Sequence, residues 1–270
     1  MPELPEVETS RRGIAPWLEH QRVVAVTIRE RRLRWPVPRA IDRELPGKFI
    51  HSVRRRAKYL LFDTDAGTLM LHLGMSGSLR IADPAEPPGA HDHVDIVAGS
   101  GKALRFRDPR RFGSLLWTTD PDNHPLLKDL GPEPLGDGFD GEHLHRAARG
   151  RRVAVKSFIM NASVVAGVGN IYANEALFEA GIHPMRRADR IALPRMQRLA
   201  GAIREVLTRA IEAGGTTLRD FHGGDGEPGY FSRQLKVYGR DDGGCPRCAH
   251  PLTVATVGQR STFYCNRCQR

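Results

Sequence analysis

Apolar and polar positions alternate in short runs through the first third of the chain and recur at helical spacing beyond it. Leu4, Val7, Ile14 and Leu18 share one face of a predicted N-terminal helix, with Glu6 and Glu8 placed in its first turn, where the helix dipole favours acids. Residues 22–28 read as a strand. Residues 57–63 and 68–73 flank an Asp65-Ala66-Gly67 turn and predict a hairpin, with Lys58 inside its first strand. Residues 94–98 and 103–107, around Gly99-Ser100-Gly101, predict a second hairpin, and residues 112–117 continue the pattern. Many short strands separated by turn signals suggest a sandwich or barrel. The glycine- and proline-rich stretch 131–136 breaks the pattern and marks a domain boundary. Helices are predicted at residues 142–148, 153–160, 171–180 (ending at Gly181) and 193–213. The last has Met196, Leu199, Ile203, Val206, Leu207, Ala210 and Ile211 on one face. A glycine-rich loop follows at residues 221–230, and a cysteine-bearing segment closes the chain. The expected organisation is three domains, 1–131, 132–235 and 236–270.

Composition narrows the class. The chain has 270 residues, 41 Lys plus Arg against 31 Asp plus Glu, and a formal net charge of +10. With 40% apolar and 27% charged residues it has the makings of a packed core. No apolar run is long enough for a membrane span, and Glu3, Glu6 and Glu8 leave no apolar stretch for a secretory signal. A cytoplasmic protein with an anionic partner is expected, nucleic acid foremost. The basic charge concentrates in two regions. Residues 29–58 hold 11 Lys/Arg against three acids, and residues 236–270 hold six against two. They lie on either side of the boundary and are expected to line a cleft between domains, with solvated surface as the alternative reading.

Cys245 and Cys248 are separated by sixteen residues from Cys265 and Cys268. Two C-x-x-C turns at this interval have zinc-ribbon spacing, and four thiolates would close a structural site with no open catalytic position. Two disulfides are the competing reading, disfavoured where no export signal is seen.

The start, Met1-Pro-Glu-Leu-Pro-Glu6, offers chemistry. Proline after the initiator methionine permits removal of that methionine, leaving Pro2 as a free secondary amine. Such an amine attacks a carbonyl-like carbon and forms an iminium, an electron sink needing no added cofactor. A generic α-amino group with a pKa near 7.7–8.0 is roughly 10–20% neutral at pH 7, far more than lysine, and proline's more basic secondary amine narrows that advantage unless Lys58 or a helix N-terminus lowers its pKa. Glu3 beside it suits proton transfer. An ordinary helix start is the plainer reading of the same residues.

With its further motifs the chain resembles the bacterial formamidopyrimidine-DNA glycosylases, bifunctional repair enzymes for oxidised purines. The similar blocks are Met1 to Thr9, Arg56-Ala-Lys-Tyr-Leu60, His72-Leu-Gly-Met-Ser-Gly77, His91-Asp-His93, Asp108-Pro-Arg-Arg-Phe-Gly113, Gly167-Val-Gly-Asn-Ile-Tyr172, Gly214-Gly-Thr-Thr217 and Gln259-Arg-Ser-Thr-Phe-Tyr-Cys265. They run collinearly from end to end. The resemblance implies an α+β multidomain fold: an N-terminal β-sandwich with flanking helices, a helical domain with a helix–two-turns–helix motif, and a four-cysteine zinc β-hairpin. It implies damaged double-stranded DNA as partner, one structural zinc, no catalytic cofactor, a monomer, and a place at the bacterial nucleoid.

The resemblance also implies roles. Pro2 attacks C1′, Glu3 protonates the sugar, Glu6 organises the nucleophile, Lys58 serves β-elimination, and Arg260 serves δ-elimination and clamps phosphate. An arginine gives up a proton with difficulty, so the clamp is the stronger part of that last role. His72, His91, Arg151 and Asn170 are implied DNA contacts, Asn170 from a helix start that suits phosphate. Met75, Arg110 and Phe112 are implied to fill the space left by an extruded base; core packing is the alternative for Met75 and Phe112. Arg219 and Tyr230 belong to the implied lesion loop. Arg219 stands where lysine is frequent, and Asn161 where aspartate is common; both bear on lesion range. Glu175 matches a family carboxylate in the helical domain and Lys156 a lysine near the lesion pocket, while Glu8 reads as dipole compensation. Rival readings are the sister enzyme for oxidised pyrimidines, a DNA-binding protein without catalysis, a zinc hydrolase, and, for Gly167-Val-Gly169, an incomplete dinucleotide motif.

Overall fold

The computed structural model describes residues 2–216, 230–240 and 243–270. The chain groups into two compact units, Met1–Lys128 with Ala213–Ser232, and Asp129–Glu212 with Arg233–Arg270. No described helix is long and apolar enough to cross a membrane.

The first unit begins with helix α1 (Leu4–Leu18) and continues through β1 (Gln21–Ile28), α2 (Arg39–Glu44), β2 (Phe49–Arg56), β3 (Tyr59–Thr64), β4 (Gly67–His72), β5 (Ser78–Ala82), β6 (Asp92–Ala98), β7 (Ala103–Arg107) and β8 (Ser114–Thr118). All pairings are antiparallel, in the order β5-β7-β6-β1-β2-β3-β4-β8. Strand β1 serves two layers. Gln21 and Arg22 pair with β2, whereas Val23 to Ile28 pair with β6 across a register shift. The sheet therefore turns at β1 and faces itself. The core holds Val23, Val53, Leu60, Phe62, Leu71, Leu79, Ile96, Leu104 and Phe106 from both layers, and Val7, Ile14 and Leu18 from α1. This is the expected β-sandwich with flanking helices. Beneath its β5–β7–β6 layer, Arg105 is fully buried and donates to both oxygens of Asp95 at 2.9 and 2.8 Å, a pair that tolerates burial because its hydrogen bonds are satisfied.

Three elements depart from the sequence expectation. Strand β2 was not predicted: a register shift between Ile50 and Ser52 puts its buried positions, Ile50 and Val53, three residues apart and so breaks the period of two. Edge strand β5 and six-residue α2 are too short to show a period. Lys58 is not in a strand. Arg56 pairs with Tyr59, leaving Ala57 and Lys58 as a two-residue hairpin turn with Ala57 at φ 53°.

The second unit is helical: α3 (Gly141–Ala147), α4 (Val155–Ile159), α5 (Asn170–Ala180) and α6 (Leu193–Glu212), then the hairpin β9 (Thr253–Val257) and β10 (Arg260–Tyr264). Asp140 caps α3 by accepting the His143 N–H at 2.7 Å. Helix α5 ends where Gly181 takes φ 65°, a conformation glycine adopts without strain. Almost all of α5 is buried, which is why it shows little amphipathic pattern. The α4–turns–α5 segment is the expected helix–two-turns–helix.

Candidate active site and metal centre

Residues 2–3 lie buried at the head of α1. Glu3 is the N-cap residue, and Glu6 Oε2 accepts its backbone N–H at 2.8 Å. The other oxygen, Oε1, accepts the N–H of Thr216, also at 2.8 Å. Thr216 is bridged to Tyr230, so this bridge is fastened to the same carboxylate as the N-terminal turn. Gly215 is required at this join. It has φ +81°, and a Cβ there would stand 3.3 Å from Glu6 Oε1. Glu6 thus does more than compensate the dipole. Glu8 corrects the expectation outright: it lies beyond the first turn, nearly buried, and binds Arg11, Arg12 and Arg55. These arginines hold its carboxyl below the usual range although burial opposes them.

Lys58 projects from the β2–β3 turn, and His72 pairs opposite Tyr59 at the end of β4. His72 Nδ1 accepts the Gly74 N–H at 2.9 Å, which leaves the ring proton on Nε2. Burial, then the charges of Lys58 and Arg34, push its pKa down to about 4. His72 is therefore a neutral hydrogen-bond donor beside a cation. That combination suits a phosphate oxygen.

Met75 and Phe112 are 36% and 44% exposed, so core packing does not account for them. The Arg110 guanidinium lies 4.9 Å from the Phe112 ring centroid. Asp108, which sequence reasoning missed as a functional residue, supports both loops. Its Oδ1 accepts the Ser76 hydroxyl at 2.7 Å and its Oδ2 the Gly113 N–H at 2.7 Å. Ser76 Oγ in turn accepts the Arg110 N–H at 3.1 Å. Gly74 permits the approach, since a Cβ there would meet Gly113 N at 2.4 Å. The sequence signal for Asp108 was its place before Pro109, a turn-initiating pair. His93 is buried against the Asp108 carbonyl at 2.8 Å, and His91 is half-buried beside it. Among described residues neither belongs to a metal cluster.

In the second unit, Gly169 is the N-cap of α5 and Asn170 its first residue. Asn170 Nδ2 donates to the Ser261 carbonyl at 3.1 Å. Arg260 opens β10, exposed, next to a Gly258-Gln259 turn whose φ angles are both positive, the geometry of a tight hairpin. Arg151 is exposed. Lys156 is fully buried in this unit. Glu175 is buried and accepts the N–H groups of Lys236, Val237 and Tyr238 at 2.8–2.9 Å; burial raises its pKa despite these bonds. Asn161 Oδ1 accepts from Ser163 N and Oγ, a turn an aspartate would also make. Tyr230 is exposed, and Arg219 lies outside the described residues.

The four cysteine sulfurs lie within 4.8 Å of one another. Cys245–Cys268 and Cys248–Cys265 separations are 3.8 and 3.6 Å. Tetrahedral zinc with Zn–S near 2.3 Å needs sulfurs about 3.8 Å apart, and a disulfide needs about 2 Å. The donors fit zinc. Cys245 and Cys265 also belong to an apolar cluster with Phe178, Val237, Leu252 and Phe263, so the metal centre is continuous with the core behind α5.

Three family models match in series: the formamidopyrimidine-DNA glycosylase N-terminal domain over residues 1–115, the formamidopyrimidine-DNA glycosylase H2TH domain over residues 130–222, and a zinc finger found in FPG and IleRS over residues 245–270. Formamidopyrimidine-DNA glycosylases of Alkalilimnicola ehrlichii and Methylococcus capsulatus are 59% and 60% identical, each matched over 100% of both chains. Among solved structures, a Lactococcus lactis FPG mutant in complex with a Fapy-dG containing DNA aligns with TM-score 0.91 at 32% identity over 100% of both chains. The MutM (FPG) protein of Thermus thermophilus aligns with TM-score 0.89 at 39% identity, over 99% of this chain and 98% of that one. From its first block to its last cysteine, the chain belongs to the formamidopyrimidine-DNA glycosylase family.

Proposed function

We propose that this protein removes oxidised purines, 8-oxoguanine and formamidopyrimidines, from duplex DNA and then cuts the strand at the resulting abasic site. The observation that carries the reading is the N-terminal turn, where Pro2 and Glu3 are buried and the Glu6 carboxylate accepts the Glu3 N–H. Solved relatives hold Fapy-dG, abasic-site and carbocyclic 8-oxo-G DNA, which favours purines over the sister activity on pyrimidines. After loss of Met1, the Pro2 nitrogen attacks C1′ and the base leaves with the glycosidic electron pair. Glu3 delivers a proton as the sugar ring opens, giving the Schiff base. The iminium acidifies C2′, and successive β- and δ-elimination expel the 3′ and 5′ phosphates.

Lys58 and neutral His72 present adjacent donors to phosphate, with Lys58 moving the β-elimination proton. Met75, Arg110 and Phe112 occupy the gap left by the base, Arg110 donating to the orphaned partner. Asn170, Arg151, His91 and Arg260 bind the backbone, and Tyr230 with Arg219 acts in lesion recognition. Zinc, held by the four cysteines, supplies folding energy to the Arg260 hairpin and takes no part in bond making. The working division is a catalytic region 1–131, a DNA-binding region 132–235 and the hairpin 236–270, acting as a monomer at the nucleoid. Borohydride reduction with 8-oxoguanine duplex should add the mass of the cleaved strand to a chain lacking Met1. Absence of an adduct on processed protein would reduce it to a DNA-binding protein, and a preference for thymine glycol would place it with the pyrimidine enzymes.

A further inference from the structure

Strand β10 has one edge paired to β9 and another that would otherwise be bare. Side chains of α4 and α5 cover that second edge. Lys156 Nζ donates to the Ser261 carbonyl at 2.8 Å and to Thr262 Oγ1 at 2.7 Å. Asn170 Nδ2 donates to the same Ser261 carbonyl at 3.1 Å. Asn174 Oδ1 accepts the Phe263 N–H at 2.9 Å, while its Nδ2 bonds back to the Asn170 carbonyl at 2.6 Å. Thr262 Oγ1, grasped by the lysine, donates to the Arg260 carbonyl at 3.1 Å. Polar contacts thus address residues 260, 261, 262 and 263 in succession.

Such a ladder fixes register. A slip of one residue along a strand turns every side chain to the opposite face, and Arg260 is the first residue of this one, beside a two-residue turn. Lys156 has no exposed surface, so its ammonium is taken from water at a desolvation cost. Ordinary packing at this site would be served by methionine or leucine. A buried cation aimed at a carbonyl and a hydroxyl specifies where those oxygens stand.

We propose that Lys156, together with Asn174, is a positioning residue that sets the register of β10 and so presents the Arg260 guanidinium to a DNA phosphate. It acts through the hairpin and does not touch the damaged base. The inference rests on the reading of Arg260 as a phosphate ligand. Asn170 links the two functions, one amide hydrogen fixing Ser261 while the helix start it occupies faces phosphate.

The test is a double-mutant cycle on an abasic-site duplex with Lys156→Met and Arg260→Ala, reading Kd, its salt dependence, and KM against kcat. Either single change should weaken binding about tenfold and flatten the log Kd–log salt slope by about 0.9, the share of one phosphate contact. The loss should fall more on KM than on kcat. In the Arg260→Ala background, Lys156→Met should cost less than about threefold further, because contacting residues are not additive. Thr262→Val, which keeps the lysine but removes its hydroxyl acceptor on β10, should show the same coupling at smaller size and covers the case in which Lys156→Met fails to fold. If the two losses simply multiply, or if Lys156→Met and Thr262→Val leave the slope unchanged while Arg260→Ala flattens it, the positioning role is wrong. If Arg260→Ala itself leaves binding intact, the phosphate reading of Arg260 falls and the inference with it.

Discussion

Replacing Glu6 by glutamine changes one atom and reverses one hydrogen bond. The carboxylate accepts two backbone N–H groups at 2.8 Å, from Glu3 and Thr216, with the residue only 2% exposed. Glutamine keeps the shape but has one acceptor oxygen, so its NH2 must face one of those N–H groups. A hydrogen bond to a charged group contributes about 1.5–3 kcal/mol, and a buried donor left unmet costs about 1–3 kcal/mol more. The sum is about 2.5–6 kcal/mol. The cheapest relief is local: residues 2–3 precede α1, so their turn can loosen without unfolding the sandwich. A loss of about 3 kcal/mol in holding Pro2 and Glu3 at the reacting carbon corresponds to roughly a hundredfold in rate. Single-turnover borohydride trapping on an abasic duplex reads that rate, and thermal unfolding run in parallel reads the global share. If Glu6 only offset the helix dipole, Glu6→Gln would cost about 0.3–1 kcal/mol. Trapping within threefold of the parent, with a correspondingly small change in Tm, would refute the argument.

His72 titrates at about 4 in the fold against 6.5 unfolded, so the unfolded chain takes up the proton first as pH drops. Stability should be fully present above pH 6.5 and fall by up to about 3 kcal/mol towards pH 4; urea titrations of His72→Gln should lack that part of the decline, and parallel curves would contradict it. Phe112 is 44% exposed, so Phe112→Ala should shift unfolding by less than about 0.5 kcal/mol while slowing excision of 8-oxoguanine about tenfold or more; a large fall in Tm with normal excision would return Phe112 to the core. Cys265→Ser should abolish zinc binding, measured as metal content, and lose the Arg260 contribution to the salt slope. Because structural zinc contributes on the order of 10 kcal/mol in small metal-folded modules, a variant that keeps both its hairpin and its slope would remove the metal from the folding argument.

What could be read from the sequence was whatever repeats or has a fixed spacing. Helix α6, the hairpins β3–β4 and β6–β7, and the four-thiol site all appeared that way, because one face is buried or one ion must be surrounded. Strand β2 stayed hidden since its bulge puts Ile50 and Val53 out of phase and three arginines end it. The turn at Ala57 and Lys58 stayed hidden because neither is a usual turn residue; Ala57 takes φ 53° although alanine resists it. Glu8 could not be told from a dipole acid until Arg55, 47 positions away, was seen to bind it. Nor does composition mark the return of residues 213–216 and 230–232 to the first unit. For the proposed wedge the reverse holds: Met75 and Phe112 look like core residues in sequence, and only their exposure separates the two readings.

The side chains proposed to act share a construction that single substitutions misreport. Glu3, next to Pro2, stands on Glu6, Arg110 and Phe112 on Asp108 and Ser76, and Arg260 on Lys156 and Asn174. In each case the supporting group is buried, polar and bonded to backbone, whereas the wedge and clamp residues it serves are exposed. Removing a supporting group leaves a backbone donor or acceptor unmet in a low-dielectric interior, so stability and activity fall together. A loss of activity at Asp108 or Glu6 therefore does not by itself make either a catalytic residue. What separates support from chemistry is coupling. A support should lose its effect once the side chain it serves is gone, whereas a group that touches the reacting atoms should retain one. On that criterion Asp108→Asn should cost excision much less in a Phe112→Ala, Arg110→Ala background than in the parent, and equal costs in both would give Asp108 a part in the reaction itself.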